Sequence, residues 1–80
     1  MNTYENIVKI ILGTVLKNTE KYVSEEKIVY FYASPSAIDE LFKNGKLAGM
    51  GPHITLEPIK GMKIELIIDR KEKSCRVKPL

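Results

Sequence analysis

Apolar positions near the amino end of the chain recur every three or four residues, which is the period of an α-helix. Asn2, followed three residues later by Glu5, forms a capping box just before this run. The pattern predicts an amphipathic helix of about 18 residues. Ile10 and Leu16 make its apolar face wider than contact with one sheet requires. Its predicted inward face consists of Tyr4, Ile7, Val8, Ile11, Leu12 and Val15.

A run of β-branched and aromatic residues from Lys27 to Ala33 is apolar at both alternating sets of positions. Such a run predicts a strand at the centre of a sheet. Ser34-Pro35-Ser36 then starts a second helix, because serine caps helices and proline fits their first turn. Asn44-Gly45 supplies the left-handed residue that ends this helix. The aromatic side chains predicted to be buried in the strand are Tyr30, Phe31 and Tyr32.

From Ile54 to Val77 apolar residues mostly alternate with polar ones, as in strands that have one face in water. Lys60-Gly61 suits a tight hairpin turn, and the charged run 69–73 marks a second turn. The complete order α-β-α-β-β-β predicts a single α+β domain over residues 1–80. We expect two layers, with one antiparallel-rich sheet of about four strands that carries two helices on one face.

The size of the chain bears on its assembly. A domain of 80 residues buries a small fraction of its surface, and such domains are often stabilised by disulfides, a bound metal or oligomerisation. Cys75 is the only cysteine and His53 the only histidine, so one chain can form neither a disulfide nor a tetrahedral zinc site. We therefore predict a homo-oligomer assembled through the first helix. The alternative is that the helix packs deeply against the sheet of its own chain. The predicted contact residues are Ile7, Ile10, Ile11 and Leu16.

An unpaired thiol and an amino end without the pattern of a signal peptide predict a cytoplasmic location. The longest apolar stretch, from Ile7 to Leu16, is interrupted by Lys9 and Gly13 and is about half the length that spans a bilayer. We therefore expect no membrane partner. We also expect no metal and no cofactor, because no complete catalytic, metal-binding or nucleotide-binding motif is present.

The net charge of +3 is confined to the carboxyl end of the chain. Residues 1–68 carry eight basic and eight acidic side chains, so the whole excess lies beyond Ile68. Such an end can attract phosphate-bearing partners and predicts, as an alternative function, a basic nucleic-acid-associated protein that binds phosphates without a stacking platform. The competing interpretation is a solvated hairpin whose lysines prevent edge pairing. The residues predicted to contact nucleic acid are Lys63, Arg70, Lys71, Arg76 and Lys78.

The first functional hypothesis is a site for a small anionic ligand. At Ser34-Pro35-Ser36 a central strand feeds a helix, whose positive end offers amide groups and two hydroxyls to a phosphate. The alternative is that both serines only cap the helix. We predict a non-enzymatic, homo-oligomeric binding or regulatory domain for a phosphate-bearing ligand. The predicted ligand-binding residues are Ser34, Ser36, Lys46, His53 and Thr55.

The segment Pro52-His53-Ile54-Thr55-Leu56 resembles half of the motif of the 2H phosphoesterases. In that family two His-x-Thr motifs surround one phosphodiester, and the two imidazoles act as general acid and base. The resemblance covers these five residues, and the single histidine implies that a second subunit would contribute the other half of the site. A phosphoesterase is therefore the second alternative. A histidine satisfied by a neighbouring carbonyl at the start of a strand is the structural alternative.

Overall fold

The structure is a computed structural model that describes residues 2–47 and 54–80. Helices and strands follow one another in the predicted order, with a short helix added before the first strand. The α+β class is therefore confirmed. The elements are α1 (Thr3–Ile10), a π-helical segment (Ile11–Val15), α2 (Thr19–Tyr22), β1 (Ile28–Ala33), α3 (Pro35–Lys43), β2 (Ile54–Ile59), β3 (Met62–Ile68) and β4 (Arg76–Lys78).

The strands of the described residues form one sheet in the order β2-β3-β1-β4. β1 pairs with β3 in parallel and with β4 antiparallel, and β2 pairs with β3 antiparallel. The predicted central position of β1 is confirmed, but the sheet is mixed rather than antiparallel-rich. Ile54 at the start of β2 pairs with Leu66, which in turn pairs with Phe31 toward the end of β1. β2 therefore runs opposite to β1, and the hairpin returns β3 parallel to β1.

Asn2 caps the first helix as predicted, but the helix is not continuous. The Asn2 side chain accepts a hydrogen bond of 2.9 Å from the Tyr4 backbone N–H. After Ile10 the helix widens, and the Leu16 N–H donates to the Ile11 carbonyl oxygen, a π-type bond of 3.0 Å. The widening helps to keep the buried residues Ile7, Ile11 and Val15 in line. These residues are spaced by four, and in an α-helix of about 3.6 residues per turn such a spacing drifts around the helix axis. A wider turn keeps them on one side.

The burial of residues in α1 and the π-helical segment corrects two predictions, one on contacts between copies and one on the inward face of the helix. Ile7 and Ile11 are fully buried in the core of their own chain, so they are not available for the predicted contact between copies. Leu12, predicted to face inward, is 56% exposed. Leu16 is also exposed and Ile10 is partly buried, so these two predicted contact residues remain accessible.

The two faces of β1 have different surroundings. Val29, Phe31 and Ala33 are fully buried and belong to the core cluster that includes the helices. Tyr30 and Tyr32 point the other way and are partly exposed. The prediction that both tyrosines are buried was therefore wrong, whereas the prediction for Phe31 is confirmed. Within residues 2–47 and 54–80 the helices cover one face of the sheet, and the alternation of a strand places every second residue on the opposite face.

Candidate nucleic-acid interface and serine cavity

The face of the sheet opposite the core cluster, called here the outer face, gathers side chains from all its strands. On β1 it carries the two tyrosines. The register of β4 places Arg76 beside Tyr32 and Lys78 beside Tyr30. On the other side, β3 places Ile67 beside Tyr32 and Glu65 beside Tyr30. Lys63, at the start of β3, and Thr55 of β2 extend this face toward the other edge of the sheet.

The tyrosines and their cationic neighbours form a compact group, called here the tyrosine platform: Tyr30, Tyr32, Arg76 and Lys78. The Arg76 guanidinium carbon lies 4.9 Å from the centroid of the Tyr32 ring. The Lys78 Nζ atom lies 5.9 Å from the centroid of the Tyr30 ring. Both distances are within the range of a cation–π interaction. The platform thus combines flat aromatic surfaces with positive charge.

Two carboxylates border the tyrosine platform. The Arg76 Nε–H donates to Glu72 Oε2 at 3.2 Å, an ion pair in which the arginine remains exposed. A guanidinium has five N–H donors, so this bond leaves Arg76 able to contact a phosphate as well. Glu65 lies within the face itself, beside Tyr30. It is partly buried and has a partner inside the protein.

The remaining basic residues predicted to contact nucleic acid lie in the turn between β3 and β4. Asp69 anchors this turn by donating its backbone N–H to the Ala33 carbonyl oxygen at 2.9 Å. The Asp69 side chain accepts a bond of 2.9 Å from the backbone N–H of Lys71. Arg70 and Lys71 are exposed there, beyond the ends of the two central strands. The structure therefore brings three of the five predicted residues to the outer face and holds the other two at its margin.

A cavity of about 470 Å³ lies at the start of α3, and we refer to it as the serine cavity. The Ser34 hydroxyl accepts a bond of 3.1 Å from the Ala37 N–H, so Ser34 is the cap of the helix. Its oxygen is also 3.2 Å from the Ser36 hydroxyl oxygen. Ser34 is buried, whereas Ser36 is exposed. Ser36 is thus the hydroxyl that a ligand can reach.

The other walls of the serine cavity carry charges of both signs. The Glu40 carboxylate accepts two bonds from Thr3, at 2.6 Å from the hydroxyl and 3.0 Å from the backbone N–H. These bonds hold the pKa of Glu40 below its ordinary value, and the bond from the Thr3 hydroxyl has the larger effect. Lys73 also lines the cavity. An anion bound here would meet an attractive ammonium group and a repulsive carboxylate.

Cys75, which also lines this cavity, is buried. Burial is the main cause that raises the pKa of its thiol to about 11, and the carboxylates of Glu40 and Glu72 add to the effect. At neutral pH the thiol is therefore protonated, and it is a poor nucleophile.

The other residues predicted to bind the anionic ligand lie elsewhere. Lys46 and Thr55 line a separate cavity of about 270 Å³, and the Lys46 Nζ atom is 4.8 Å from the centroid of the Tyr4 ring. Ser34 and Lys46 flank opposite ends of α3, whose nine residues span about 14 Å. His53 lies outside the described residues, so its part in the ligand site and in the phosphoesterase resemblance stays a prediction.

The candidate site residues that the sequence did not predict are the tyrosines of the outer face, together with Thr3, Glu40 and Lys73 of the serine cavity. One signal for the tyrosines exists in the sequence. Cys75 and Val77 alternate with Arg76 and Lys78, so the last strand has a basic face that must lie opposite the core. A basic strand face of this kind predicts that one face of the sheet is exposed to solvent. Alternate residues of the central strand then lie on the same exposed face.

No protein-family model, no curated protein and no solved structure matches this chain. Within residues 2–47 and 54–80, no helix has the length and apolar character required to cross a membrane. Over the same residues, no cluster of three or more histidine, cysteine or acidic side chains is arranged to hold a metal ion.

Proposed function

We propose that this domain binds single-stranded nucleic acid on the outer face of its sheet. The observation that carries the proposal is the tyrosine platform, where two partly exposed aromatic rings lie beside two cationic side chains. Aromatic rings on which bases stack, interleaved with cations that contact phosphates, are the general features of single-strand binding surfaces. This proposal corresponds to the alternative function predicted from the charge distribution, with an aromatic component added.

The spacing of the two rings favours a single strand over a duplex. Tyr30 and Tyr32 are two residues apart on one strand, which corresponds to about 7 Å. Successive bases in a duplex are about 3.4 Å apart along the axis. Two bases that stack on these two rings must therefore be spread apart, which is possible for an unpaired strand. Unpaired bases also expose the flat surfaces that the rings require.

Basic residues on three sides of the rings can contact the phosphates of such a strand. Arg76 and Lys78 lie on the edge strand β4, Lys63 lies on β3, and Arg70 and Lys71 lie in the turn at the margin. Arg76 and Lys78 rest over the tyrosine rings in the free protein. Their long side chains can turn from the rings to phosphate oxygens as bases take their place.

The proposal predicts a steep dependence of binding on salt. Three to five phosphate contacts on a single strand give a slope of about −2 to −3.5 in a plot of log affinity against log salt concentration. Raising the salt from about 50 to about 200 mM is then expected to weaken binding about 15- to 130-fold. Fluorescence anisotropy of a labelled single-stranded oligonucleotide measures this, with a duplex of the same sequence as the control.

Two results would contradict the proposal. One is an absence of binding to any single-stranded oligonucleotide at the lower salt concentration. The other is equal or tighter binding of the duplex, because bases that remain paired and stacked cannot stack on the tyrosine rings. Binding that does not respond to salt would remove the proposed role of the basic residues.

A second candidate is the homo-oligomeric domain for a small anion that the sequence predicts. The serine cavity supports it, since the exposed Ser36 hydroxyl and Lys73 line one space at the start of α3. The exposed Leu12 and Leu16, four residues apart on the first helical region, are apolar groups that a second copy could cover. The nearby Glu40 carboxylate opposes anion binding. For that reason we rank this candidate below the nucleic-acid interface.

For the second candidate, inorganic phosphate at ten times its Kd is expected to stabilise the protein by about 1.4 kcal/mol. This corresponds to a rise in melting temperature of about 6 to 11 °C for a domain of this size. Ser36→Ala should reduce the rise, whereas Thr14→Ala, at an exposed position on the first helical region, should leave it unchanged. Light scattering of the same sample should give a mass above the 9.1 kDa of one chain. The candidate is rejected if phosphate has no more effect than chloride and the mass is that of one chain.

A further inference from the structure

The position of Glu65 is unusual for a surface proposed to bind phosphates. It lies at the centre of the outer face, directly beside Tyr30 on one side and Thr55 on the other. The surrounding face carries positive charge at Lys63, Arg76 and Lys78. A carboxylate in this position repels a phosphate backbone. Its location beside the ring on which a base would stack suggests a different role.

A base that stacks on Tyr30 would present its edge to the neighbouring strands. β4 on one side offers the ammonium group of Lys78, and β3 on the other offers the carboxylate of Glu65. Neighbouring strands are about 4.8 Å apart, so both groups are within reach of an atom on the edge of the base. A phosphate chain that follows Arg76 and Lys78 on β4 directs the edge of the base toward Glu65 on β3.

We propose that Glu65 selects a base that carries an exocyclic amino group at the Tyr30 position. This inference rests on the proposed function and names the class of base that the site accepts. An ionised carboxylate only accepts hydrogen bonds, and its two oxygens offer about four acceptor sites. Glu65 can thus accept a bond from a base while it keeps its partner within the protein.

The selection follows from the donors and acceptors of the bases. Cytosine, adenine and guanine carry amino groups that donate, at N4, N6 and N2 respectively. Thymine and uracil carry an O4 carbonyl oxygen where cytosine has its amino group, and two acceptors facing one another repel. Glutamate paired with the N4 amino group of cytosine is an established mode of base recognition. Glu65 therefore favours cytosine over thymine or uracil among the pyrimidines.

The test compares two single-stranded homopolymers of equal length, oligodeoxycytidine and oligothymidine, at neutral pH and one salt concentration. The pyrimidine pair keeps ring size constant, so the comparison isolates the hydrogen-bonding edge. The wild-type protein is expected to bind oligodeoxycytidine about tenfold more tightly. Glu65→Gln is expected to lower this ratio to about one, because an amide both donates and accepts. Anisotropy titrations of the wild type and the variant give the ratios.

Glu57→Gln is the matched control. Glu57 is an exposed acid on β2 whose carboxylate accepts a bond of 3.0 Å from the Gly61 N–H in the hairpin. A glutamine oxygen can accept the same bond, and the substitution changes the net charge by the same amount as Glu65→Gln. This control is expected to keep the tenfold preference. Any uniform gain in affinity that both variants share reports the loss of one negative charge, not base selection.

The outcomes separate this inference from the proposed function. Equal wild-type affinities for the two homopolymers would overturn the role of Glu65 and leave single-strand binding in place. A preference that persists in Glu65→Gln, or disappears in Glu57→Gln as well, would also overturn it. If the wild-type protein binds neither homopolymer, both the inference and the proposed function fail.

Discussion

Replacing Tyr30 and Tyr32 together by alanine is expected to weaken binding to single-stranded nucleic acid by at least about 30-fold. Stacking of a base on an aromatic side chain contributes about 1 to 3 kcal/mol. Losing two such contacts removes at least about 2 kcal/mol, which corresponds to the stated factor. The salt slope should change little, because Arg76 and Lys78 remain. Anisotropy titrations of wild type and variant at several salt concentrations measure both quantities.

Two further variants keep this prediction falsifiable. Changing both tyrosines to phenylalanine retains the rings, so affinity should stay within about threefold of the wild type. Changing both to leucine retains apolar contact without a stacking surface, so affinity should fall as in the alanine variant. Circular dichroism at the assay temperature verifies that each variant is folded. Full binding by a folded leucine variant would show that the rings do not stack on bases.

Replacing Ile11 by alanine is expected to lower the free energy of unfolding by about 2 to 5 kcal/mol. Ile11 is fully buried and belongs to the core cluster, so the substitution removes apolar contacts and leaves a cavity. A domain of 80 residues has a total stability of about 4 to 12 kcal/mol. The loss is therefore a large part of the whole. Urea denaturation followed by circular dichroism measures it through the transition midpoint.

Leu12→Ala is the matched control, because Leu12 is the next residue in the same π-helical segment and is 56% exposed. Its substitution is expected to change the stability by no more than about 0.5 kcal/mol. Both variants should be measured at low and high protein concentration. A cost at Leu12 that appears only at high concentration would indicate that a second copy covers this side chain. Equal costs at Ile11 and Leu12 at all concentrations would contradict the packing of the helix described above.

The start and end of α3 and the turn between β2 and β3 were predictable because the signals that set them are local. Ser34 caps α3, and Gly45 follows its end with a positive φ of 66°. Gly61 has a φ of 85° in the hairpin between β2 and β3, as its position after Lys60 predicts. Each of these residues acts on atoms within a few positions along the chain, so no tertiary information is needed.

The candidate site was less predictable, because its parts depend on which surfaces are covered. The apolar and aromatic run of β1 indicates a central strand, but it does not show whether one or both faces of the sheet carry helices. The structure covers one face, which buries Phe31 and displays its neighbours Tyr30 and Tyr32. Among the predicted ligand-binding residues, the serines and Lys46 lie apart, because α3 separates the serines at its start from Lys46 beyond its end.

The sequence by itself determined the α+β class, the order of all elements except α2, and core residues such as Ile7, Ile11 and Phe31, because periodicity and capping act over short distances. The tertiary structure decided the parallel pairing of β1 with β3 and the pairing of β1 with β4. These pairings place Arg76 and Lys78 beside two tyrosines that lie far from them along the chain. Strand register and the single helical layer, neither of which has a local signal, therefore create the outer face on which the proposed function depends.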